Sequence, residues 1–317
     1  MNRCFNLMHN GYVAVEFFFI LSGVFIYKSS VSRKSKGVLD YTISKVKRYY
    51  PPFLIMLVPT LLLTWDGDAF VRTLNDILFI SNTGIYGKGV NDTLWYLSVL
   101  VVGGGLIYSM LKHFKDIAIS FILPLLVILI YTYIFNTNEG NLEFFGINGW
   151  LYKPLARGFA GMSLGVLLGR FFQLEENALK KYQGIVDVLC MGSLIGWIVI
   201  ILSSSSFDRY ALVCSCIIIT TCFCKASIFN RFLTWRMWNF LGELTLEMYI
   251  VHWALVRLLL LLRDAYLIPG PIILSLYIVM LIPSALLLKK CSSMVITYFS
   301  VLLNDRTKNE NSNRQFQ

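Results

Sequence analysis

The sequence predicts an all-α, polytopic membrane protein of about nine spans. Three observations carry that expectation. Of 317 residues, 56% are hydrophobic and only 15% charged, with a mean hydropathy of +0.65, whereas soluble domains are about a quarter charged. Apolar segments of roughly 17–20 residues, the length that crosses a bilayer, recur along the whole chain. The lysines and arginines between them alternate between rich and poor connections.

The segments fall at 11–27, 49–65, 93–110, 117–135, 155–169, 184–203, 210–224, 241–262 and 271–288. The first, GYVAVEFFFILSGVFIY, carries Glu16 immediately before Phe17, Phe18 and Phe19. At about 1.5 Å per residue the carboxylate sits about 8 Å below the edge of the span, within reach of water or an external substrate. Ionisable groups inside spans cost about 2.5–3.5 kcal/mol each and mark candidate sites. Glu16 reads equally well as a group facing a substrate and as a structural acid paired with arginine. The connection that follows, KSSVSRKSKGVLDYTISKVKRYYPP, is the most basic part of the chain. Lys45 and Arg48, three residues apart, share one helical face, with Lys47 beside them. That geometry suits a phosphorylated ligand and equally an ordinary headgroup anchor.

At the start of the third segment, NDTLWYLS places Trp95 and Ser98 at membrane level, where tryptophan is common as a belt residue. The fifth contains Arg157 and the small-residue pattern RGFAGMSLGVLLG, which predicts close helix packing. Asp187 lies one turn into the sixth span. Cys214, Cys216, Cys222 and Cys224 cluster in the seventh. A zinc site there lacks nearby histidine, and small apolar filler accounts for the cysteines. The eighth carries Glu243, Glu247, His252 and Arg257. His252, in YIVHW, is either a satisfied core imidazole or a general base.

Assigning alternate connections to two sides puts twenty Lys and Arg on one side and six on the other, with Arg157 and Arg257 inside spans. The net charge of +10 is therefore topology, not a nucleic-acid footprint. The basic side is cytoplasmic by the positive-inside rule, which places the C-terminus inside and the protein in the plasma (inner) membrane. The organisation expected is a membrane domain over 1–290 and a cytoplasmic tail over 291–317. In that tail MVITYFSVLLN is too short to cross and suits the interface, and NDRTKNENSNRQFQ reads as disordered. The first ten residues lack the apolar region of a cleavable signal peptide. Nine spans put Met1 outside, and an even number with both ends inside would be simpler, so one further helix ahead of residue 11 is expected.

Four separated stretches together resemble integral-membrane acyltransferase family 3, which includes bacterial O-antigen and exopolysaccharide O-acetylases. GYVAVEFFFILSG resembles its acid–Phe-Phe–Ser-Gly signature at Gly11, Val15, Glu16, Phe18, Phe19, Ser22 and Gly23, with Ala14 where a glycine is frequent. KVKRYYPP resembles its Arg-x-x-Arg, with Lys45 for the first arginine and Arg48 for the second. TLWYLSVL resembles Leu-Trp-x-Leu-Ser at Trp95 and Ser98. FLGELTLEMYIVHW resembles the late segment at Leu241, Gly242, Tyr249 and His252, with Thr245 for the usual serine.

The resemblance implies a ten-span fold and acyl transfer from cytoplasmic acyl-CoA, usually acetyl-CoA, to a sugar hydroxyl of a surface, exported or lipid-linked glycan. Acyl-CoA is then a co-substrate, and no permanently bound cofactor or metal is implied. Lys45, Lys47 and Arg48 are the implied donor-binding residues. Trp95, Ser98, Arg157 and Ser22 are the candidates on the acceptor side, and Glu16, His252 and His9 the candidate catalytic groups. The family's base is a His about ten residues after an Arg in the helix preceding the signature; His9 lies near that position without the Arg. Leu100 stands where many members have Glu. A glycan transporter or polymerase-like protein, and a truncated inactive relative, are the competing readings.

Overall fold

The structure, a computed structural model, describes residues 10–81, 83, 89–91, 93–142, 147–148, 151–203, 207–225 and 227–314. Its helices in order are α1 (Val13–Val31), α2 (Val38–Thr64), α3 (Ala69–Ile77), α4 (Trp95–His113), the single turn α5 (Lys115–Ile117) and α6 (Leu123–Thr137). One π-helical turn, Ala118–Ile122, joins the last two into one rod. A two-residue antiparallel ladder, β1 (Ile147–Asn148) on β2 (Leu151–Tyr152), precedes α7 (Lys153–Leu174). Then come α8 (Glu176–Lys181), α9 (Gln183–Leu202), α10 (Asp208–Phe223), α11 (Ile228–Leu233), α12 (Arg236–Tyr266) and α13 (Gly270–Arg314).

Every expected span coincides with a helix. Among the described residues seven helical stretches are long and apolar enough to cross a membrane. The two that fall short are α10, with 16 residues, and α2, whose apolar half is shortened by its basic first half and by Pro51, Pro52 and Pro59. The chain is therefore all-α and polytopic, as its hydropathy predicts. Where the polar tail predicts disorder, α13 runs through residue 290 without interruption to Arg314. An established helix propagates cheaply once nucleated.

The tightest crossing lies between α1 and α7, and the glycines in both signatures explain it. A Cβ on Gly23 would sit 2.0 Å from the carbonyl oxygen of Met162, and one on Gly165 would sit 1.9 Å from that of Ile20. Only glycine allows the two backbones to approach so closely, the small-residue contact that replaces hydrophobic drive within a bilayer. Around this pair, α4 and α10 flank α1 while α6 flanks α7; α12 packs against α2 and α13.

Two polar clasps fix the ends of the bundle. Asp76, buried on α3, accepts from the backbone N–H of Val90 at 2.8 Å and of Asn91 at 3.2 Å, and from the hydroxyl of Ser81. Asn91 then accepts from the Thr93 N–H at 3.0 Å and its hydroxyl at 2.6 Å, a side-chain turn that launches α4. At the opposite end Tyr41 and Tyr108 stack with centroids 3.9 Å apart. Tyr108 donates to the Lys36 carbonyl at 2.8 Å and Lys112 to the Ser35 hydroxyl at 2.5 Å. The basic connection between α1 and α2 is thereby pinned to α4.

Candidate active site

Glu16 and Arg157, chosen separately from the sequence as costly intramembrane charges, meet at the α1–α7 crossing. Arg157 Nε donates to Glu16 Oε2 at 2.6 Å, and the two side chains are 3% and 1% exposed. The other carboxylate oxygen accepts from the Tyr131 hydroxyl on α6. Arg157 Nη1 donates to the Leu142 carbonyl at 3.0 Å and Nη2 to the Tyr12 carbonyl at 2.8 Å. The charges can sit this deep because their hydrogen-bonding capacity is met on several sides, the condition under which burial is tolerated. The contact also needs Gly161, where a Cβ would lie 2.8 Å from Glu16 Oε1.

A second buried acid, Asp208 at the start of α10, completes the network. Both its oxygens accept from the Tyr12 hydroxyl, at 3.1 and 2.9 Å, and Oδ2 accepts from the Leu142 N–H at 2.5 Å. Asp208 thus grips the side chain of one residue and the amide of another, and Arg157 binds the carbonyls of the same two residues. Tyr12→Phe keeps that carbonyl and deletes the hydroxyl. It is expected to lower stability in detergent by roughly 1.5–3 kcal/mol, the worth of a hydrogen bond to a charged group. Thermal unfolding unchanged from the parent protein would show that the bond contributes nothing.

These contacts correct one expectation. Glu16 does not face water or an external substrate: its two oxygens are occupied by Arg157 and Tyr131, and the apposition of α7 closes over it. The carboxylate, 1% exposed, is enclosed between the Arg157 guanidinium and the Tyr131 hydroxyl.

A second constellation lies on the other flank of α1. Phe19 packs against Trp95 and Tyr96, with centroids 5.8 and 4.7 Å away. The Ser22 hydroxyl is 3.3 Å from that of Tyr96. The Tyr96 ring lies 5.4 Å from Tyr249, which lies 5.3 Å from His252. Tyr249 donates its hydroxyl to the Thr93 carbonyl. His252 Nδ1 is 2.5 Å from the Tyr249 carbonyl. A carbonyl can only accept, so Nδ1 carries a proton, and in the neutral imidazole Nε2 then holds the lone pair. Ser22, Trp95 and His252 are therefore brought to neighbouring layers of α1, α4 and α12. Trp95 is buried against Phe19 and is not an interface belt residue. Ser98 is 1% exposed and its hydroxyl turns back to the Leu94 carbonyl at 3.4 Å, a contact within its own helix. Ser98 therefore does not open toward a substrate.

Lys45, Lys47 and Arg48 lie at the far end, in the first turns of α2. Lys47 and Arg48 are exposed, while Lys45 is half-buried with its ammonium 5.4 Å from the Tyr41 ring. Burial, and after it the charges of Arg48 and Lys36, pull the Lys45 ammonium below its ordinary value. Among the described residues no carboxylate lies within ion-pair distance of Lys36, Lys45 or Arg48.

Three of the remaining intramembrane candidates, Asp187, Glu243 and Arg257, have local contacts. Asp187 accepts from the Ser227 hydroxyl at 2.5 Å and the Ile228 N–H at 3.3 Å, which caps α11. Glu243 pairs with Lys289 at 3.0 Å on an exposed surface. Arg257 lies over the Trp253 ring at 4.5 Å. His9 lies outside the described residues. Sequence reasoning missed Tyr12, Tyr131, Asp208 and Asp76. The available signal for Tyr131 was a phenol in the aliphatic run LPLLVILIYTYIFNT, since a buried tyrosine hydroxyl seeks a partner. Asp208 reads as an ordinary loop acid beside a span.

A family model described as an acyltransferase domain, that of acyltransferase family 3, matches residues 5–289. No curated protein and no solved structure matches the chain.

Proposed function

The chain belongs to acyltransferase family 3, and on that premise we propose that it moves an acyl group, acetyl in the first instance, from acyl-CoA to a hydroxyl of a surface or exported glycan. The observation that carries the donor assignment is the cationic end of α2. A half-buried ammonium beside two like charges, and among the described residues without a carboxylate at ion-pair distance, is stabilised by a multiply charged anion. CoA, with a pyrophosphate and a further phosphate, supplies one. The donor then enters from the basic side, in the plasma (inner) membrane the cytoplasmic one, and the acceptor from the end where α1 and α7 begin. Separate entry for the two substrates suits a reaction that joins a cytoplasmic metabolite to a glycan on the other face.

In the transfer, the acceptor oxygen attacks the thioester carbonyl carbon, the new C–O bond forms and the C–S bond breaks. The hydroxyl proton passes to a base and from it to the departing thiolate. His252 supports this role among the described residues: its Nδ1–H is committed to Tyr249, leaving Nε2 as acceptor. General-base assistance of this kind contributes about 10²–10⁴-fold, and holding the two substrates together contributes more. Glu16 and Arg157 act here as positioning residues that fix α1 against α7, with Ser22 and the Tyr96 hydroxyl on the facing flank.

The experiment is transfer of label from acetyl-CoA to envelope glycan by the purified protein in lipid. Lys45→Gln with Arg48→Gln is expected to raise the KM for the donor about tenfold or more, with a smaller change in kcat, since the contacts act on substrate and transition state alike. His252→Gln is expected to reduce kcat by about 10²-fold or more with little change in donor KM. Absence of transfer from any acyl-CoA by the parent protein refutes the proposal. A donor KM indifferent to the α2 variants refutes the assignment of that site.

A further inference from the structure

We infer that the basic end carries a second anion subsite, Lys112 on α4 with Ser35, which takes the ribose phosphate of CoA while Lys45 and Arg48 take its pyrophosphate. This rests on the reading of the α2 end as the donor site and gives that site its preference for CoA. Tyr41 on α2 and Tyr108 on α4 stack almost parallel, at an interplanar angle of 4° with centroids 3.9 Å apart. Each ring carries its own cation. Lys45 Nζ lies 5.4 Å from the Tyr41 centroid and Lys112 Nζ 5.9 Å from that of Tyr108, both within cation–π range. The facing sides of the rings are taken up by the stack, so the two ammonium groups stand apart, one on α2 and one on α4.

Lys112 is exposed in the last turn of α4 and donates to the Ser35 hydroxyl at 2.5 Å. An ammonium has three donors, so two remain, and a hydroxyl that accepts one bond keeps its own proton to give. Lys112 and Ser35 therefore present donors to an anion at one place. The Tyr108 hydroxyl donates to the Lys36 carbonyl at 2.8 Å, which holds Ser35 beside Lys112. Arg33, Lys34 and Lys36 are exposed on the same connection. Asp40 and Asp116 belong to this end as well, yet among the described residues no carboxylate lies within ion-pair distance of Lys112, Arg33, Lys34 or Lys36.

Two separated cationic places match a ligand whose anionic groups are separated as well. A free phosphate or a single phosphodiester fills one of them. CoA fills both, because its ribose phosphate stands apart from its pyrophosphate. Charge-assisted hydrogen bonds from Lys112 and Ser35 would then read the phosphate that distinguishes CoA from donors carrying the pantetheine arm alone.

The test compares acetyl-CoA with acetyl-dephospho-CoA, which lacks only the ribose phosphate, as donors for the full chain in lipid. The dephospho donor is expected to show a KM about tenfold higher, the low end for a lost hydrogen bond to a charged group. Lys112→Gln is expected to raise the KM for acetyl-CoA to that of the dephospho donor, and Lys112→Arg to keep the difference. Lys45→Gln with Arg48→Gln is expected to raise both KM values and preserve their ratio. Equal KM values in the parent protein, or a ratio that survives Lys112→Gln, overturn the inference and leave the donor site on α2 standing. A loss at Lys112 shared equally by both donors also overturns it, since a lysine that only completes the end of α4 or holds a lipid headgroup acts on both alike. Protection of the parent protein from thermal unfolding, by CoA against dephospho-CoA, makes the comparison without turnover or variant. A preference for CoA in a protein that transfers nothing would sustain the subsite and refute the transferase reading. No preference would overturn the subsite.

Discussion

Arg157→Met is expected to cost the protein about 3–5 kcal/mol, the penalty for leaving a buried carboxylate without its cation, and to empty the membrane of folded protein. Glu16 would keep only the Tyr131 hydroxyl, and the Tyr12 and Leu142 carbonyls would lose the two N–H donors that now reach them at 2.8 and 3.0 Å. Combining it with Glu16→Gln removes the unpaired charge while leaving Tyr131 an acceptor. The pair is therefore expected to recover part of the lost stability, the non-additivity that marks residues in direct contact. Transfer activity separates two roles. If the double variant is abundant yet inactive, the ion pair sets the geometry of the reacting site as well as the fold. If activity returns with abundance, Glu16 and Arg157 are a clamp for α1 and α7 alone. A single Arg157→Met protein as stable as the parent would refute the account of the pair altogether.

Gly165→Val is expected to have an effect of the same order through a different cause. A Cβ there collides with backbone, the Ile20 carbonyl, and Gly23 presents the reciprocal collision with Met162. No rotamer change relieves such a contact, so α1 and α7 must separate and take Glu16 and Arg157 out of hydrogen-bonding range. Overpacking within a well-packed core ordinarily costs about 1–3 kcal/mol; here the loss of the ion pair adds to it. Gly192→Ala on α9 is the control, because a Cβ there meets nothing within 4 Å. It should be neutral or more stable by up to about 1 kcal/mol, the helical preference of alanine over glycine. Melting temperature in detergent and the amount of folded protein extracted from membranes read both variants. A normal melting temperature for Gly165→Val would contradict the close crossing.

The architecture was legible because a bilayer leaves few choices. Backbone groups in hydrocarbon must be satisfied within the segment, so runs of apolar length become helices. The hydropathy of segments such as LPLLVILIYTYIFNT and IVDVLCMGSLIGWIVIIL therefore located α6 and α9 directly. The glycine pattern of α7 pointed to a close crossing but not to its partner, since a row of small residues fits several helices. Charge was legible in kind: Glu16 and Arg157 stand out because each is expensive where it sits.

Pairing with an arginine was one of two open readings of Glu16, but the sequence did not show that the arginine is Arg157, 141 positions away, or that Asp208, an unremarked loop acid, holds the Tyr12 hydroxyl and the Leu142 N–H of the two residues whose carbonyls accept from Arg157. Trp95 and Ser98 were legible as the opening of a span, and the structure places both at the start of α4, yet their burial followed from Phe19 and from contacts within α4 itself. By itself the sequence determined that this chain is a bundle of membrane-spanning helices of acyltransferase family 3, because hydropathy, spacing and signature residues are local properties. Tertiary structure alone decided which of its costly polar groups face one another. A buried charge selects its partner by the geometry of helix crossing, and that geometry rests on glycines whose effect appears only when two helices meet.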